Sequence, residues 1–184
     1  MPDAPSDRTA DTSVPVHPAI AARWSPRAFD PTADLGEEDL VGVLEAARWA
    51  PTWGRRQPVR FLVGRRADEA FTTLAGLLRR GNSYATVASA LVLVCVDDGE
   101  DDRTARYAAV DAGAALANLS VEAVSRGLIV HPMAGFDTEG ARSAFGLSEQ
   151  LRPLVVIAVG RLGDYADVAP EIASDPPEVV DEDV

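Results

Sequence analysis

The chain has no lysine and a single cysteine. All seventeen basic residues are arginine, which excludes Schiff-base chemistry and any phosphate loop built on a lysine. Cys95 alone closes no internal disulfide, and with only His17 and His131 beside it builds no zinc site. It sits in the apolar run Ala90–Val96 and reads as a buried, inert strand residue. The sparing use of cysteine places the chain in the cytoplasm, where thiols stay reduced. No apolar run approaches the roughly 20 residues needed to cross a bilayer. Met1–Ser13 has no apolar core behind a basic end, so no secretory signal is expected. Also missing are G-x-G-x-x-G after a strand, G-x-x-x-x-G-K-[ST], H-E-x-x-H and G-x-S-x-G.

What is present suits one globular domain. The chain is 184 residues long, with 47% apolar and 25% charged residues. A net charge of -12 argues against nucleic-acid and anionic-membrane partners. The charge is concentrated at the end, where Glu171, Asp175, Glu178, Asp181, Glu182 and Asp183 have no basic neighbour. Three segments follow: a loose Pro/Asp/Ser/Thr-rich arm over 1–16, one domain over 17–170, and an acidic tail over 171–184.

Periodicity predicts a helix over 37–49, with Leu40, Val43, Leu44 and Ala47 on one stripe and acids at its start. Pro51 stops it. A strand is expected over 59–63, a helix over 68–80 ended by Gly81, and a buried strand over 88–96. The stretch 104–126 predicts a long helix closed by Gly127. Val110, Ala114, Ala117, Val121 and Val124 repeat at 4-3-4-3 spacing, and further apolar residues lie on neighbouring faces. Such a helix is expected to be buried on most sides, centrally or at a subunit contact. Asp137 caps a short helix to Phe145, and 154–159 predicts a last strand. The fold class is α+β, helices on a mixed sheet.

Three segments carry candidate chemistry. In Arg23-Trp24-Ser25-Pro26-Arg27, Pro26 favours an extended chain, which turns Arg23, Ser25 and Arg27 to one side. Two guanidinium forks and a hydroxyl match phosphate oxygens; the alternative is two surface arginines paired with acids. The turn Ala50–Pro58 carries polar side chains between a helix and a strand. In Val130–Asp137, small residues let backbone N–H groups approach a flat ligand, and His131 is either a general base or an ordinary satisfied histidine. Asp97–Asp102 lacks EF-hand spacing and reads as a solvated turn.

These residues resemble the FMN-dependent nitroreductase family over roughly 17–170. The family's basic-x-Ser-x-basic opening is matched by Arg23–Arg27 followed by Phe29. Its Ala-Pro-Ser-like turn before Gln-Pro is matched by Ala50-Pro51-Thr52 and Gln57-Pro58. Gly81-Asn82, Asp111-Ala112-Gly113, His131-Pro132-Met133-Ala134-Gly135, Arg152-Pro153 and Val159-Gly160 follow in the family's order.

The resemblance implies an α+β sandwich, a homodimer with FMN in its interface, and hydride passage from NAD(P)H through the flavin. The acceptor would be a nitro compound, quinone or similar electron-poor small molecule. By resemblance Arg23, Ser25 and Arg27, with Trp24 between them, hold the phosphate. Gln57 and Arg55 lie near the ring, Met133, Ala134 and Gly135 lie at its redox edge, and Arg161 is a further phosphate-side candidate. No side chain is assigned as catalytic, because the hydride chemistry belongs to the cofactor. The departures are Arg55 where asparagine is common, Trp53 where a small serine is common, Val59 after Gln57-Pro58, and an acidic tail in place of a basic stretch. They keep open a non-catalytic flavin- or ligand-binding relative, or use of a deazaflavin.

Overall fold

The computed structural model describes residues 8–169 and Ile172. Residues 1–7 of the expected arm lie outside the described residues, as does the acidic tail apart from Ile172. Within the arm, residues 8–16 are exposed, yet the Ala10 N–H donates to the Ala21 carbonyl at 2.8 Å.

Alternation along the central strands builds two layers. Strands β1 (Val59–Arg65), β2 (Ala90–Asp97), β3 (Ile129–Met133) and β4 (Leu151–Gly160) form one sheet in the order β1-β2-β4-β3. Ala90, Val92 and Val94 of β2 face one side, and Leu91, Leu93 and Cys95 face the other. The first side is covered by α2 (Glu37–Arg48) and α4 (Asp102–Ser125). The second is covered by α3 (Glu69–Leu77), a 3-10 segment (Arg80–Val87) and α5 (Thr138–Ala144). The α+β sandwich is as expected. The sheet is antiparallel in every described pair rather than mixed. The segments carrying α3 and α5 each start and finish at one end of the sheet, as hairpin connections do.

The helices begin where the sequence supplies caps. In α2 the acids Glu37, Glu38 and Asp39 fill the first turn, and Leu40, Val43 and Ala47 are buried. The Asp101 side chain caps α4 by accepting the Thr104 N–H at 2.9 Å. The helix stops before Gly127, whose φ of 69° suits glycine. Its core face carries Ala108, Ala112, Ala115, Leu119 and Ala123. The stripe read from Val110 to Val124 is split: Val110, 61% exposed, and Ala117 face outward, whereas Ala114, Val121 and Val124 are half-buried and Ala114 packs against the core.

Two stretches depart from the expected elements. The helix over 68–80 ends at Leu77, because Leu78 turns extended and pairs with Phe136. Strand β3 was not among the expected elements. Its Pro132 is tolerated because β3 is an edge strand paired only with β4. Pro153 sits beside the irregularity where β2 pairing skips Leu154, beyond the reach of β3.

Candidate functional site

A four-residue helix, α1 (Pro18–Ala21), delivers the chain into Arg23–Arg27, which has no regular secondary structure. Arg23 and Ser25 are exposed and Arg27 half-buried, whereas Pro26 and Ala28 are buried. The segment is fixed from behind by its backbone. The Gly163 N–H donates to the Ala28 carbonyl, and the Asp30 N–H to the Arg161 carbonyl, both at 3.0 Å. The Arg27 N–H donates to the Tyr165 hydroxyl at 2.9 Å. Trp24 stacks on Tyr165 with centroids 6.2 Å apart, and the Arg8 guanidinium lies 4.7 Å from the Trp24 ring. Arg23 makes no ion pair among the described residues.

Behind this segment lies a polar chain that joins three sequence motifs. The Pro26 carbonyl is 3.0 Å from His131 Nδ1, and His131 Nε2 is 2.9 Å from the Tyr84 hydroxyl. A carbonyl only accepts, so Nδ1 carries the proton, Nε2 accepts, and Tyr84 donates. Burial pushes the His131 pKa below its ordinary value, and the Arg27 charge acts in the same direction. The imidazole is therefore neutral. Burial pushes the Tyr84 phenol up to about 12, opposed by Arg27, whose guanidinium carbon lies 5.9 Å from the ring centroid. His131 is a satisfied histidine, and its two nitrogens are both engaged.

Past His131, Met133 is buried, Ala134 exposed and Gly135 half-buried. The Gly135 carbonyl accepts the Arg79 N–H at 3.0 Å and the Asn82 amide at 2.8 Å. A Cβ at Gly135 would stand 2.7 Å from that amide nitrogen, so a larger residue would displace it. The His131 ring thus ties the Met133–Gly135 strip to the Arg23–Arg27 segment, with Tyr84 hydrogen-bonded to its other nitrogen.

The turn 51–58 is anchored on α4. The Trp53 N–H donates to the Asp111 carboxylate at 2.9 Å, and Asp111 is only 4% exposed. The Trp53 ring stacks on Tyr107 at 4.9 Å and 9°, with Arg103 5.2 Å from the same ring. Arg55 follows Gly54 (φ 65°) and is exposed. Gln57 is exposed and borders a cavity of about 790 Å³ with Thr52, Asp111 and Ala115. Arg56 turns the other way and pairs with Asp97 at 3.3 Å. Arg161 lies apart from Arg27. Its guanidinium reaches the Gly127 carbonyl at 3.4 Å and Asp39 at 4.0 Å.

Tyr84, Tyr165 and Tyr107 were not singled out from the sequence. The usable signal was Tyr84: a phenol in a polar, glycine-containing stretch before a buried strand needs a hydrogen-bond partner.

The nitroreductase family model matches residues 20–85 and 75–161. A 15.4 kDa protein from the ask 5' region of Mycolicibacterium smegmatis is 65% identical over 123 residues, covering 62% of this chain and 83% of that protein. YdgI of Bacillus subtilis, which carries the name of an NAD(P)H nitroreductase, is 25% identical and covers 79% of this chain and 87% of its own. A crystal structure described as an oxidoreductase containing FMN is 30% identical. It superposes with a TM-score of 0.82 over 89% of this chain and 85% of that one. With its sandwich, its motif order and these matches, the chain belongs to the nitroreductase family.

Proposed function

We propose that the chain is an FMN-dependent oxidoreductase that works as a homodimer. It would take hydride from NAD(P)H and pass it to a nitro compound, quinone or similar electron-poor acceptor. The observation that carries this reading is the Arg23–Arg27 segment: two arginines and a serine on a backbone fixed by its own hydrogen bonds. Its residues fit a phosphate, because guanidinium forks and a hydroxyl match phosphate oxygens. The FMN in the 30% identical structure and the name carried by YdgI support the cofactor and the donor.

Arg23, Ser25 and Arg27 would hold the phosphate, with Trp24 packed behind on Tyr165. The backbone at Met133, Ala134 and Gly135 would lie along the ring's edge, kept rigid by Asn82 and Arg79. Arg55 and Gln57 would face the ring from the second copy; Arg161, engaged with Gly127 and Asp39, would have no part in the phosphate site. The flavin, when bound, supplies the two-electron hydride chemistry; the chain positions it and excludes water.

Sheet topology supports the dimer. The Gln57 turn enters β1 at one edge, and the Met133 strip leaves β3 at the other. Three strand spacings, about 14 Å, separate them across the sheet, wider than a flavin ring is long. Two protomers would let one ring take contacts from both segments. The outward face of α4, with exposed Ala109, Val110, Gly113 and Ala117, and the exposed Trp49 and Val41 of α2 supply apolar surface for that contact.

The test is anaerobic addition of NADH or NADPH to protein supplied with FMN. Bleaching of the flavin far faster than in free FMN, and recovery on adding a quinone or nitroarene, is expected. Bleaching no faster than in free FMN would refute the oxidoreductase reading.

A further inference from the structure

The Tyr84–His131 pair belongs to neither of the two strips assigned to the cofactor, yet it joins them. His131 sits on β3, two residues before Met133. Its Nδ1–H holds the carbonyl of Pro26, the residue between Ser25 and Arg27. Its Nε2 takes the Tyr84 hydroxyl, and the Tyr84 ring lies beside the Arg27 guanidinium. Ring centroids of Tyr84 and His131 are 5.0 Å apart, tilted by 49°.

We infer that Tyr84 and His131 are positioning residues for phosphate recognition: together they fix the Pro26 carbonyl and the Arg27 side chain, and so orient the donors that meet the phosphate. The inference rests on the FMN reading and deepens it. The physical argument is directional. The Pro26 carbonyl lies in the peptide plane between ψ of Pro26 and φ of Arg27, so holding its oxygen sets how Arg27 leaves the backbone. Arginine carries a large rotamer entropy, and a ring beside its guanidinium removes part of it before the anion arrives. Both effects act on the phosphate end and leave ring contacts alone. The pair works only with a neutral imidazole, since a protonated Nε2 has no lone pair for the Tyr84 hydroxyl. Burial beside Arg27 keeps it neutral.

The experiment compares FMN with riboflavin, the same ring system without phosphate, by equilibrium titration of wild type, Tyr84→Phe, His131→Leu and His131→Asn. Tyr84→Phe keeps the ring and loses the hydroxyl. The FMN dissociation constant should rise about tenfold, the scale of one buried hydrogen bond, while the riboflavin constant stays within about twofold. His131→Leu loses both bonds and should lose at least as much FMN affinity. His131→Asn places an amide N–H where Nδ1–H stood, so it should recover part of that loss. Equal losses for FMN and riboflavin in Tyr84→Phe, or no loss, would overturn the positioning role. Absence of His131→Asn recovery would overturn the Pro26 link. Wild-type protein that binds FMN no better than riboflavin would overturn the phosphate reading itself, a result separable from the others because it needs no variant.

Discussion

Asp111 gives the sharpest handle on the turn that would face the flavin ring. Its carboxylate is 4% exposed on α4 and accepts the Trp53 N–H at 2.9 Å. Asp111→Ala removes a charged acceptor and leaves a half-buried N–H without that partner. Hydrogen bonds to charged groups contribute about 1.5–3 kcal/mol. Release of a desolvated carboxylate offsets part of this, so about 2 kcal/mol is expected. For a chain of this length that lowers Tm by roughly 4–8 °C. Asp111→Asn keeps an acceptor oxygen and should cost about half as much. Global stability is read from urea unfolding followed by circular dichroism. The local effect is read from amide exchange, where protection at Trp53 should fall in Asp111→Ala and largely persist in Asp111→Asn. The Trp53–Tyr107 stack, 4.9 Å apart, should loosen with it. An Asp111→Ala protein with wild-type stability and undiminished Trp53 protection would refute the anchoring role.

Four further outcomes are expected. Arg27→Ala deletes a charge-assisted phosphate contact of about 1.5–3 kcal/mol, so FMN affinity should fall about ten- to a hundredfold in a titration, with the potential of residual bound flavin unchanged. Arg55→Asn removes an exposed positive charge that the proposed site would set near the ring, and should lower the bound flavin's reduction potential by about 10–20 mV, the equivalent of about 0.5–1 kcal/mol for a two-electron couple; a dye-equilibration titration showing no shift would place Arg55 away from the ring. The His131 pKa is held below its ordinary value of 6.5 by burial, so its contribution to stability is complete above pH 6.5 and is lost as pH falls through the folded-state pKa. The stability difference between wild type and His131→Asn should therefore shrink on acidification from pH 7.5 to 5, and a difference that grows would contradict a buried neutral imidazole. Val110→Asp puts a charge on the outward apolar face of α4 and should shift light-scattering mass from dimer to monomer without unfolding the chain.

Local signals made some of this legible from sequence. Helices α2 and α4 were readable because acids and stop residues stand at their ends: Glu37–Asp39 and Pro51 for one, Gly127 for the other; the Asp101 cap, inside a stretch read as a solvated turn, went unread, and α4 begins at Asp102 rather than 104. Of the three side chains expected on one side of an extended chain, Arg23 and Ser25 are exposed, whereas Arg27 is half-buried at a bend that Pro26 does not announce. Strand β3 was hidden by Pro132, which is acceptable only because the strand lies at the sheet edge, a tertiary fact. The early end of α3 was hidden for the same kind of reason, since Leu78 leaves the helix to pair with Phe136, 58 positions away by numbering. Which face of α4 packs on the sheet was not legible, because alanine is common on both faces and composition cannot tell them apart. Most of all, the Tyr84–His131 bond spans 47 positions and the Trp53–Asp111 bond spans 58, so no local pattern announces either.

The account rests on FMN as the bound group, and the visible spectrum of the purified protein tests that most directly, with the released ligand identified by mass. A yellow protein whose heat-released ligand has the mass of FMN, or a colourless one that acquires a flavin spectrum and a raised Tm when FMN is supplied, is the predicted result. A colourless protein whose spectrum and Tm are both unchanged by excess FMN would contradict the account.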